Sequence, residues 1–321
     1  MREAINLASD PEAPRGINPR VGCVIVDSSG AVVGRGFHRG AGTPHAEVVA
    51  LEDAGARAQG GTAVVTLEPC RHVGRTEPCT QALRDAGVTR VVYAVSDPTS
   101  AGGGADVLAA SGCDVVGGVL EPEARAINRA WLIAAPRGWP FVRLKMATSI
   151  DGRVSAPDGR QIALTGAEAR QYVHQLRADA QAVMVGTGTV LLDDPQLTVR
   201  DVPAGPSGQP IRVAWGSREI PPKARVRDGE APFHQCMSHD PRAVLAELFG
   251  LGVREVLVEG GPTVAGVLLA AGLVDEVVWL IAPLYLGEGM GAVDAPGLFA
   301  HLDVADVSLV GDDVRIIAIP R

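Results

Sequence analysis

The chain has 321 residues, of which 46% are hydrophobic and 21% are charged. Single cores stop growing at roughly 250 to 300 residues, so this length indicates two domains, and the balanced composition excludes an intrinsically disordered chain. The formal net charge of -8 gives no general electrostatic reason to bind nucleic acid or an anionic membrane, and we expect neither as a partner. The longest apolar run, 265–274, is about half of the ~20 residues that a membrane-spanning helix needs.

The N-terminus and the cysteines predict a cytoplasmic protein. Residues 1–10 lack the apolar stretch of a secretory signal and carry an acidic residue, Glu3, in its place. Five cysteines are too few, and odd in number, for a disulfide framework in a chain of this length. Any cluster among them therefore suggests metal binding or catalysis.

Strands and helices alternate in the first third of the chain. The β-branched runs 21–27 and 31–37 are separated by turn residues and predict a hairpin. Further strands are predicted at 62–67 and 88–95, helices at 46–58, 80–86 and 121–133, and a loop at 97–104. This alternation predicts a parallel or mixed sheet covered by helices.

A domain boundary is predicted at Pro136-Arg137-Gly138-Trp139-Pro140, because two prolines and a glycine in so short a stretch break any element that crosses them. The predicted domains are 1–138 and 139–321. In the second, strands are predicted at 141–144, 182–185, 211–215, 253–258, 276–281 and 314–319, and helices at 167–177, 242–249 and 264–271. The remainder of 200–240, rich in Pro, Gly and charge, is predicted to be loop.

His45, Cys70 and Cys79 form a candidate metal-binding set in the first domain. One imidazole and two thiolates leave a fourth zinc position for water, as in catalytic sites. Both cysteines follow a proline at an expected helix start, where the helix dipole favours thiolate. On a helix Glu47 points roughly 200° away from His45, so it suits proton transfer rather than joint chelation. The pattern predicts hydrolytic deamination of an amino-bearing ring.

Structural interpretations of the neighbouring residues stay open at this point. A purely structural zinc site would need a fourth protein ligand, which Cys23, Cys113 or His72 would have to supply. By themselves Cys23, Cys113 and Cys236 have no partner spacing and are expected to be ordinary core residues. Glu68, at a strand end, is expected to be structural.

The two cysteines of the set are farther apart than in the general deaminase signature, which separates them by only two residues. With this wide spacing, the stretches Asn18–Val26, His45–Glu47 and Thr66–Cys79 resemble the family of bifunctional riboflavin-biosynthesis deaminase and reductase enzymes. The resemblance implies a cytidine-deaminase-like three-layer domain in which His45, Cys70 and Cys79 bind Zn²⁺ and Glu47 transfers protons. It further implies that Asn18, His72 and Arg75 contact the substrate. Arg71 replaces the family's usual small residue, and its role stays open.

A glycine-rich turn follows the strand predicted at 253–258. In Glu259-Gly260-Gly261-Pro262-Thr263 the glycines permit close backbone approach, Pro262 suits a first helical turn, and free amides there can bind phosphate. The turn is not the G-x-G-x-x-G fingerprint, so a Rossmann domain is not predicted. Taken alone it is weak support for nucleotide binding.

The resemblance extends over nearly the whole chain through this turn and the stretches Lys145–Gly152 and Asp193–Arg200. It implies a C-terminal domain similar to dihydrofolate reductase, with Lys145 and Asp193 at the reaction centre. Substrate contacts are implied for Arg177, Leu197, Arg200 and Glu259, and an NADPH site for Ala147, Thr189, Ser217, Gly261, Pro262, Thr263, Val264, Ala265, Gly266 and Val267. From spacing alone, Lys145 and Asp193 are equally consistent with a structural ion pair, and Arg177 with a solvent-facing side chain.

One stretch departs from the family pattern. Gln161-Ile162-Ala163-Leu164-Thr165 stands where the family has Ser-x-Trp-Ile-Thr, which removes a serine that meets substrate and a tryptophan that meets cofactor. The second domain is therefore the less secure half of the resemblance.

The sequence thus predicts a cytoplasmic α/β enzyme, both hydrolase and oxidoreductase, that acts on a small phosphoribosyl pyrimidine; we also expect a homo-oligomer. By resemblance it deaminates 2,5-diamino-6-(5-phosphoribosylamino)pyrimidin-4-one to the uracil with zinc and reduces the ribosyl side chain to ribityl with NADPH. One alternative is a deaminase whose second domain has lost reduction or accepts another substrate. The other is a non-catalytic zinc-stabilised binding protein, against which the intact Glu47 argues.

Overall fold

The computed structural model describes residues 1–72, 77–156 and 162–321. The chain consists of two compact units, Met1–Arg137 and Gly138–Arg321. Both units combine a sheet with helices, so the predicted α/β class is confirmed. Within the described ranges, no helix is long and apolar enough to cross a membrane.

The first unit is built on a five-stranded sheet of order β2-β1-β3-β4-β5. Strand β1 pairs antiparallel with β2 and β3, and β3, β4 and β5 run parallel. The elements are α1 (Arg2–Ala8), β1 (Gly22–Val26), β2 (Val32–Phe37), α2 (Ala46–Ala54), β3 (Thr62–Leu67), α3 (Cys79–Asp85), β4 (Arg90–Val95), α4 (Gly104–Ala110), β5 (Asp114–Val116), α5 (Glu121–Ile127) and α6 (Arg129–Arg137).

Glycines on the hairpin let helices approach both faces of this sheet. A Cβ on Gly22 of β1 would lie 2.1 Å from the carbonyl oxygen of Ala4 in α1, and a Cβ on Gly36 of β2 would lie 2.4 Å from that of Ala46 in α2. Gly36 pairs with Cys23, the neighbour of Gly22, so the two glycines face opposite sides. The unit therefore has three layers, helix, sheet and helix.

Several element boundaries differ from the prediction. The predicted helix 121–133 is two helices, α5 and α6, and Pro136 lies inside α6 instead of ending it. Only the last turn is affected, because α6 ends one residue after the proline. The predicted helix 46–58 ends as an α-helix at Ala54 and continues as a 3₁₀ turn. Helices α1 and α4 and strand β5 were not predicted.

The second unit is built on an eight-stranded sheet of order β12-β13-β11-β6-β10-β7-β8-β9. The strands from β11 to β9 run parallel, while β12 and β13 form an antiparallel hairpin at the other edge. The elements are β6 (Phe141–Ser149), α7 (Ala167–Asp179), β7 (Ala182–Gly186), α8 (Thr187–Asp193), β8 (Ile211–Trp215), β9 (Phe233–Cys236), α9 (Pro241–Gly250), β10 (Glu255–Val258), α10 (Pro262–Ala270), β11 (Glu276–Ala282), β12 (Leu302–Val310) and β13 (Asp313–Pro320).

Helix α8 and strands β9 and β12 were missed by the sequence analysis. The prediction of loop was wrong for 233–236, where four residues of mixed polarity form the edge strand β9 against β8. Pairing with an existing sheet edge supplies the order that the local composition does not indicate. Strand β6 is also longer than predicted and runs to Ser149, which places Lys145 within the strand.

Candidate active sites

Three side chains of the first unit converge into one candidate metal-binding set. His45 immediately precedes α2, Cys70 follows β3, and Cys79 is the first residue of α3. Nδ1 of His45 lies 3.0 Å from Sγ of Cys79 and 3.6 Å from Sγ of Cys70, and the sulfur atoms are 3.4 Å apart. The expectation that both cysteines begin helices is wrong for Cys70, which lies in an irregular segment after its strand.

The donor set fits a tetrahedral zinc ion. Zinc–sulfur bonds of about 2.3 Å and zinc–nitrogen bonds of about 2.0 Å place ligand atoms about 3.6 to 3.8 Å apart, close to the observed separations. A hydrogen bond from Cys79 lowers the pKa of the Cys70 thiol, and Cys70 in turn raises the pKa of His45. Among the residues that the structure describes, no fourth His, Cys, Asp or Glu joins this group. A fourth position is thus left for a non-protein ligand.

Glu47 lies in the first turn of α2 and is only 4% exposed. Burial raises the pKa of its carboxyl group. Glu47 lines the same cavity as His45 and Cys70, so it stands beside the metal-binding set without belonging to it. This is the position that the sequence predicted for a proton-transfer group.

A cavity of about 320 Å³ opens onto the set. Its lining includes Asn18 and His72, which the sequence predicted as substrate contacts, together with Glu47. His72 is exposed, while Arg75 lies outside the described residues. The cavity is lined by residues that include Ile17, Asn18, Val21, His38, His45, Glu47, Leu67, Cys70, His72 and Trp131.

Two residues of this cavity were missed by the sequence analysis. Nε2 of His38 lies 2.9 Å from the amide nitrogen of Asn18, and Nδ1 lies 3.1 Å from the carbonyl oxygen of Pro44. Trp131 of α6 donates its indole N–H to the carbonyl oxygen of Ile17. Neither residue has a local motif, because both reach the cavity through contacts between segments distant in sequence.

Glu68 and Arg71 support the loop beside the metal-binding set. The Glu68 carboxylate accepts backbone N–H bonds from Asp97, Gly103 and Ala105 at 3.0 to 3.2 Å, as befits a structural acid. The Arg71 guanidinium lies over Gly103, where an added Cβ would be 3.2 Å from Cζ. Gly103 has a φ of 88°, which favours glycine.

In the second unit, the predicted cofactor residues gather at the carboxyl ends of adjacent parallel strands. Thr189 lies in α8 after β7, Ser217 follows β8, and Gly261 follows β10 at the start of α10. A Cβ on Gly261 would lie 3.4 Å from Oγ1 of Thr189, so two of these turns are in close contact. Ligands of open parallel sheets bind at this edge.

The other residues predicted to line the cofactor site differ in their accessibility. Pro262, Thr263, Val264 and Val267 are at least partly accessible, with Val267 37% exposed. Ala265 belongs to the core, and a Cβ on Gly266 would lie 2.1 Å from the carbonyl oxygen of Asp294. Ala147 lies partly buried on β6.

Arg218 was not predicted but lies at the same edge. Its Nη2 atom would be 2.5 Å from a Cβ added to Gly188, the second residue of α8. The backbone oxygen of Arg218 accepts a hydrogen bond from Gln235 of β9, which fixes the turn. This arrangement places a guanidinium group beside the turn that follows β7.

Glu259, which directly follows β10, lies between two cations, Arg177 of α7 and Lys145 of β6. Nε of Arg177 lies 2.5 Å from its carboxylate, and Nζ of Lys145 lies 3.7 Å from it, with all three side chains less than a fifth exposed. Burial alone would raise the pKa of Glu259, but Arg177 and Lys145 outweigh it and lower the pKa to about 2. Burial lowers the pKa of Lys145.

The contacts of Glu259 decide the structural alternatives for Arg177 and Lys145. The solvent-facing interpretation of Arg177 is wrong, because Glu259 and the carbonyl oxygen of Thr198 hold it in a mostly buried position. Among the described residues, the ion pair of Lys145 is with Glu259, and no ion pair joins it to Asp193. Burial raises the pKa of Asp193 at the end of α8.

The segment after Asp193 contains three residues with left-handed backbone, Asp194, Leu197 and Asp201. The Leu197 side chain is buried in the core. The Arg200 side chain is exposed, and the backbone N–H of Arg200 donates to Nδ1 of His174 in α7. Of the departure at 161–165, Gln161 lies outside the described residues and Ala163 is exposed.

Comparison with known proteins gives matches over both units. Residues 140–316 match the family model described as RibD C-terminal domain, and residues 1–95 match the cytidine and deoxycytidylate deaminase zinc-binding region. Riboflavin biosynthesis protein RibD of Mycobacterium tuberculosis (strain H37Rv) is 49% identical over 284 residues, which cover 87% of this chain and 83% of that protein.

Solved structures agree over the whole length. Acinetobacter baumannii RibD, form 2, has a TM-score of 0.90 and 36% identity, covering 100% of this chain and 97% of its own. A diaminohydroxyphosphoribosylaminopyrimidine deaminase/5-amino-6-(5-phosphoribosylamino)uracil reductase from Thermotoga maritima has a TM-score of 0.86 and 29% identity, with the same coverage.

Proposed function

The chain belongs to the RibD family, and we propose that it is a bifunctional enzyme of riboflavin biosynthesis. It removes the 2-amino group of 2,5-diamino-6-(5-phosphoribosylamino)pyrimidin-4-one by hydrolysis and then reduces the ribosyl side chain of the product to ribityl. The observation that carries this proposal is the convergence of His45, Cys70 and Cys79 beside a cavity that Glu47 also lines. Residues 1–138 are assigned to deamination and 139–321 to reduction.

Deamination in the first unit requires an activated water molecule and a side chain that transfers protons. Zinc bound by His45, Cys70 and Cys79 supplies Lewis-acid activation of water at this site. Glu47 accepts the proton of the attacking water and gives it to the ring nitrogen. It then accepts the proton of the new hydroxyl group, which becomes the carbonyl, and gives it to the departing amine, which leaves as ammonia. Its raised pKa suits a group that must both accept and return a proton.

Substrate orientation is assigned to the cavity walls. The carbonyl oxygen of Pro44 accepts from the His38 ring, and the other ring nitrogen then accepts from the Asn18 amide, which leaves the Asn18 oxygen available to the pyrimidine. His72 and Arg75 are assigned to contacts with polar groups of the substrate. Trp131 supplies an apolar wall.

Reduction is assigned to the strand ends of the second unit. The glycine turn at 260–261 and the adjacent Thr189 form a close-approach cradle of the kind a nucleotide phosphate needs, so the residues fit NADPH. NADPH supplies hydride to the ring-opened imine of the sugar. Asp193, whose pKa is raised by burial, provides a proton, and Lys145 and Glu259 orient the substrate beside Arg177 and Arg200.

Arg218 is assigned to a phosphate of NADPH, because it places a guanidinium at the edge of this cradle. Arg218→Ala is expected to raise the KM for NADPH roughly tenfold or more, on the scale of one charged hydrogen bond. The kcat should change little.

We also propose self-association and a cytoplasmic location. Strand β12 is a sheet edge whose Val304, Val307 and Leu309 are 59 to 72% exposed, a surface that a second copy would cover. Light scattering of the wild type and of Leu309→Lys tests this. A reducing compartment suits the thiolate ligands Cys70 and Cys79.

Metal removal tests the deaminase assignment. The enzyme stripped of metal by a chelator should lose ammonia release and regain it with added Zn²⁺, while reduction of supplied deaminated product continues. Ammonia release that persists without metal would contradict the proposal.

A further inference from the structure

A second cluster of metal-ligating side chains lies at the far edge of the eight-stranded sheet. His234 and Cys236 are on β9, and Glu247 is on α9, which packs against that strand. Because residues two apart on a strand share a face, His234 and Cys236 both point to the same side. None of the three is assigned above to substrate, zinc or NADPH.

The donor atoms of this edge cluster converge closely. Nε2 of His234 lies 2.6 Å from Oε1 of Glu247, and Sγ of Cys236 lies within 4.8 Å of both. The side chains of His234 and Glu247 are 31% and 40% exposed, so an ion can enter from solvent, while Cys236 is fully buried. Small rotations of the two exposed side chains would bring the donors to tetrahedral spacing.

The chemistry of the donors selects a particular class of ion. One nitrogen, one sulfur and one carboxylate oxygen are ligands of Zn²⁺, whereas Mg²⁺ and Ca²⁺ prefer oxygen donors throughout. Three protein ligands leave one position for water.

Two simpler interpretations account for only part of the cluster. A surface ion pair explains the contact of His234 with Glu247 but not the sulfur atom that adjoins it. A reactive thiol does not fit, because Cys236 is fully buried and reactive cysteines are partly exposed.

From this convergence we propose that His234, Cys236 and Glu247 bind a second Zn²⁺ ion, which clamps edge strand β9 to helix α9. The proposed role of this ion is structural. Binding to the folded state alone raises the melting temperature of the chain.

Zinc stoichiometry of the full-length protein tests the proposal. After equilibrium dialysis against excess Zn²⁺, metal analysis should find two ions per chain in the wild type and one in Cys236→Ser. His234→Gln and Glu247→Gln, which change exposed side chains, should weaken the second site at least about tenfold, the scale of losing a supporting metal contact. Cys113→Ser, a partly buried cysteine outside both sets, is the matched control and should keep two.

A second measurement, of thermal stability, does not depend on the number of zinc ions counted per chain. Added Zn²⁺ should raise the melting temperature of metal-free Cys70→Ser, in which the first set is broken, and this rise should vanish in Cys70→Ser combined with His234→Gln. One ion in the wild type, or an unchanged zinc affinity of the second site in both His234→Gln and Glu247→Gln, would overturn the proposal. The surface variants decide the matter if Cys236→Ser does not fold.

Discussion

Glu47 is the residue on which deamination depends most directly. Glu47→Gln keeps the size of the side chain but cannot carry a proton, so ammonia release should fall roughly 10²- to 10⁴-fold. Zinc content should be unchanged, because Glu47 is not among the ligands. Glu52→Gln, exposed on the same helix, is the control and should retain full activity. An unchanged rate in Glu47→Gln would refute the proton-transfer role.

Glu259 links the stability of its unit to pH. Its pKa of about 2 in the folded protein is below the ordinary 4.5, so its ionised form favours folding above pH 4.5 and this contribution disappears as the pH falls towards 2. The contribution is on the order of 3 kcal/mol. Urea unfolding of the wild type and Glu259→Gln should show free energies of unfolding that converge over this range. A difference that stays constant with pH would contradict the account.

The contact between β2 and α2 determines where His45 and Glu47 stand. A Cβ at Gly36 would collide with the backbone of α2, so Gly36→Ala should displace the helix and reduce both zinc content and ammonia release. Gly250→Ala, with open space around the added Cβ, is the control. Metal analysis and the deaminase assay measure the effect. Full zinc content in Gly36→Ala would contradict the claim that this contact determines the position of His45.

The elements that the sequence predicted correctly are those with a strong local pattern. The hairpin β1–β2 and strand β3 have β-branched runs between turn residues, and the predicted strands of the parallel sheet were all found. The helix predicted at 121–133 ended too early, because a proline near a helix end is tolerated when only the last turn loses its bond. Strand β9 was missed, since its order comes from pairing with β8.

In the candidate sites too, the residues that could be predicted are those that belong to local sequence motifs. His45, Glu47, Cys70 and Cys79 belong to recognisable motifs and converge in the structure. The family resemblance, the two activities and the zinc and NADPH cofactors are confirmed by the comparisons. His38, Trp131 and the edge cluster could not be predicted, because chain folding, and no local spacing, brings these side chains together.

The whole molecule should behave as two catalysts on one chain. Hydrolysis with zinc and hydride transfer share no chemical group, and their residues lie in different units. Glu47→Gln should therefore still reduce supplied deaminated intermediate, and Lys145→Ala should still release ammonia. Separate assays of the two steps check this, and a folded variant that loses both would indicate one shared site.

The most direct measurement of the central claim is mass analysis of the products formed from the diaminopyrimidine phosphate by the zinc-loaded wild-type protein. Without NADPH, the account predicts accumulation of the species in which one amino group is replaced by oxygen, with one ammonia released per molecule. With NADPH, that species should gain two hydrogen atoms while one NADPH is oxidised. Reduction of the substrate before any ammonia is released, or no product with or without NADPH, would contradict the account.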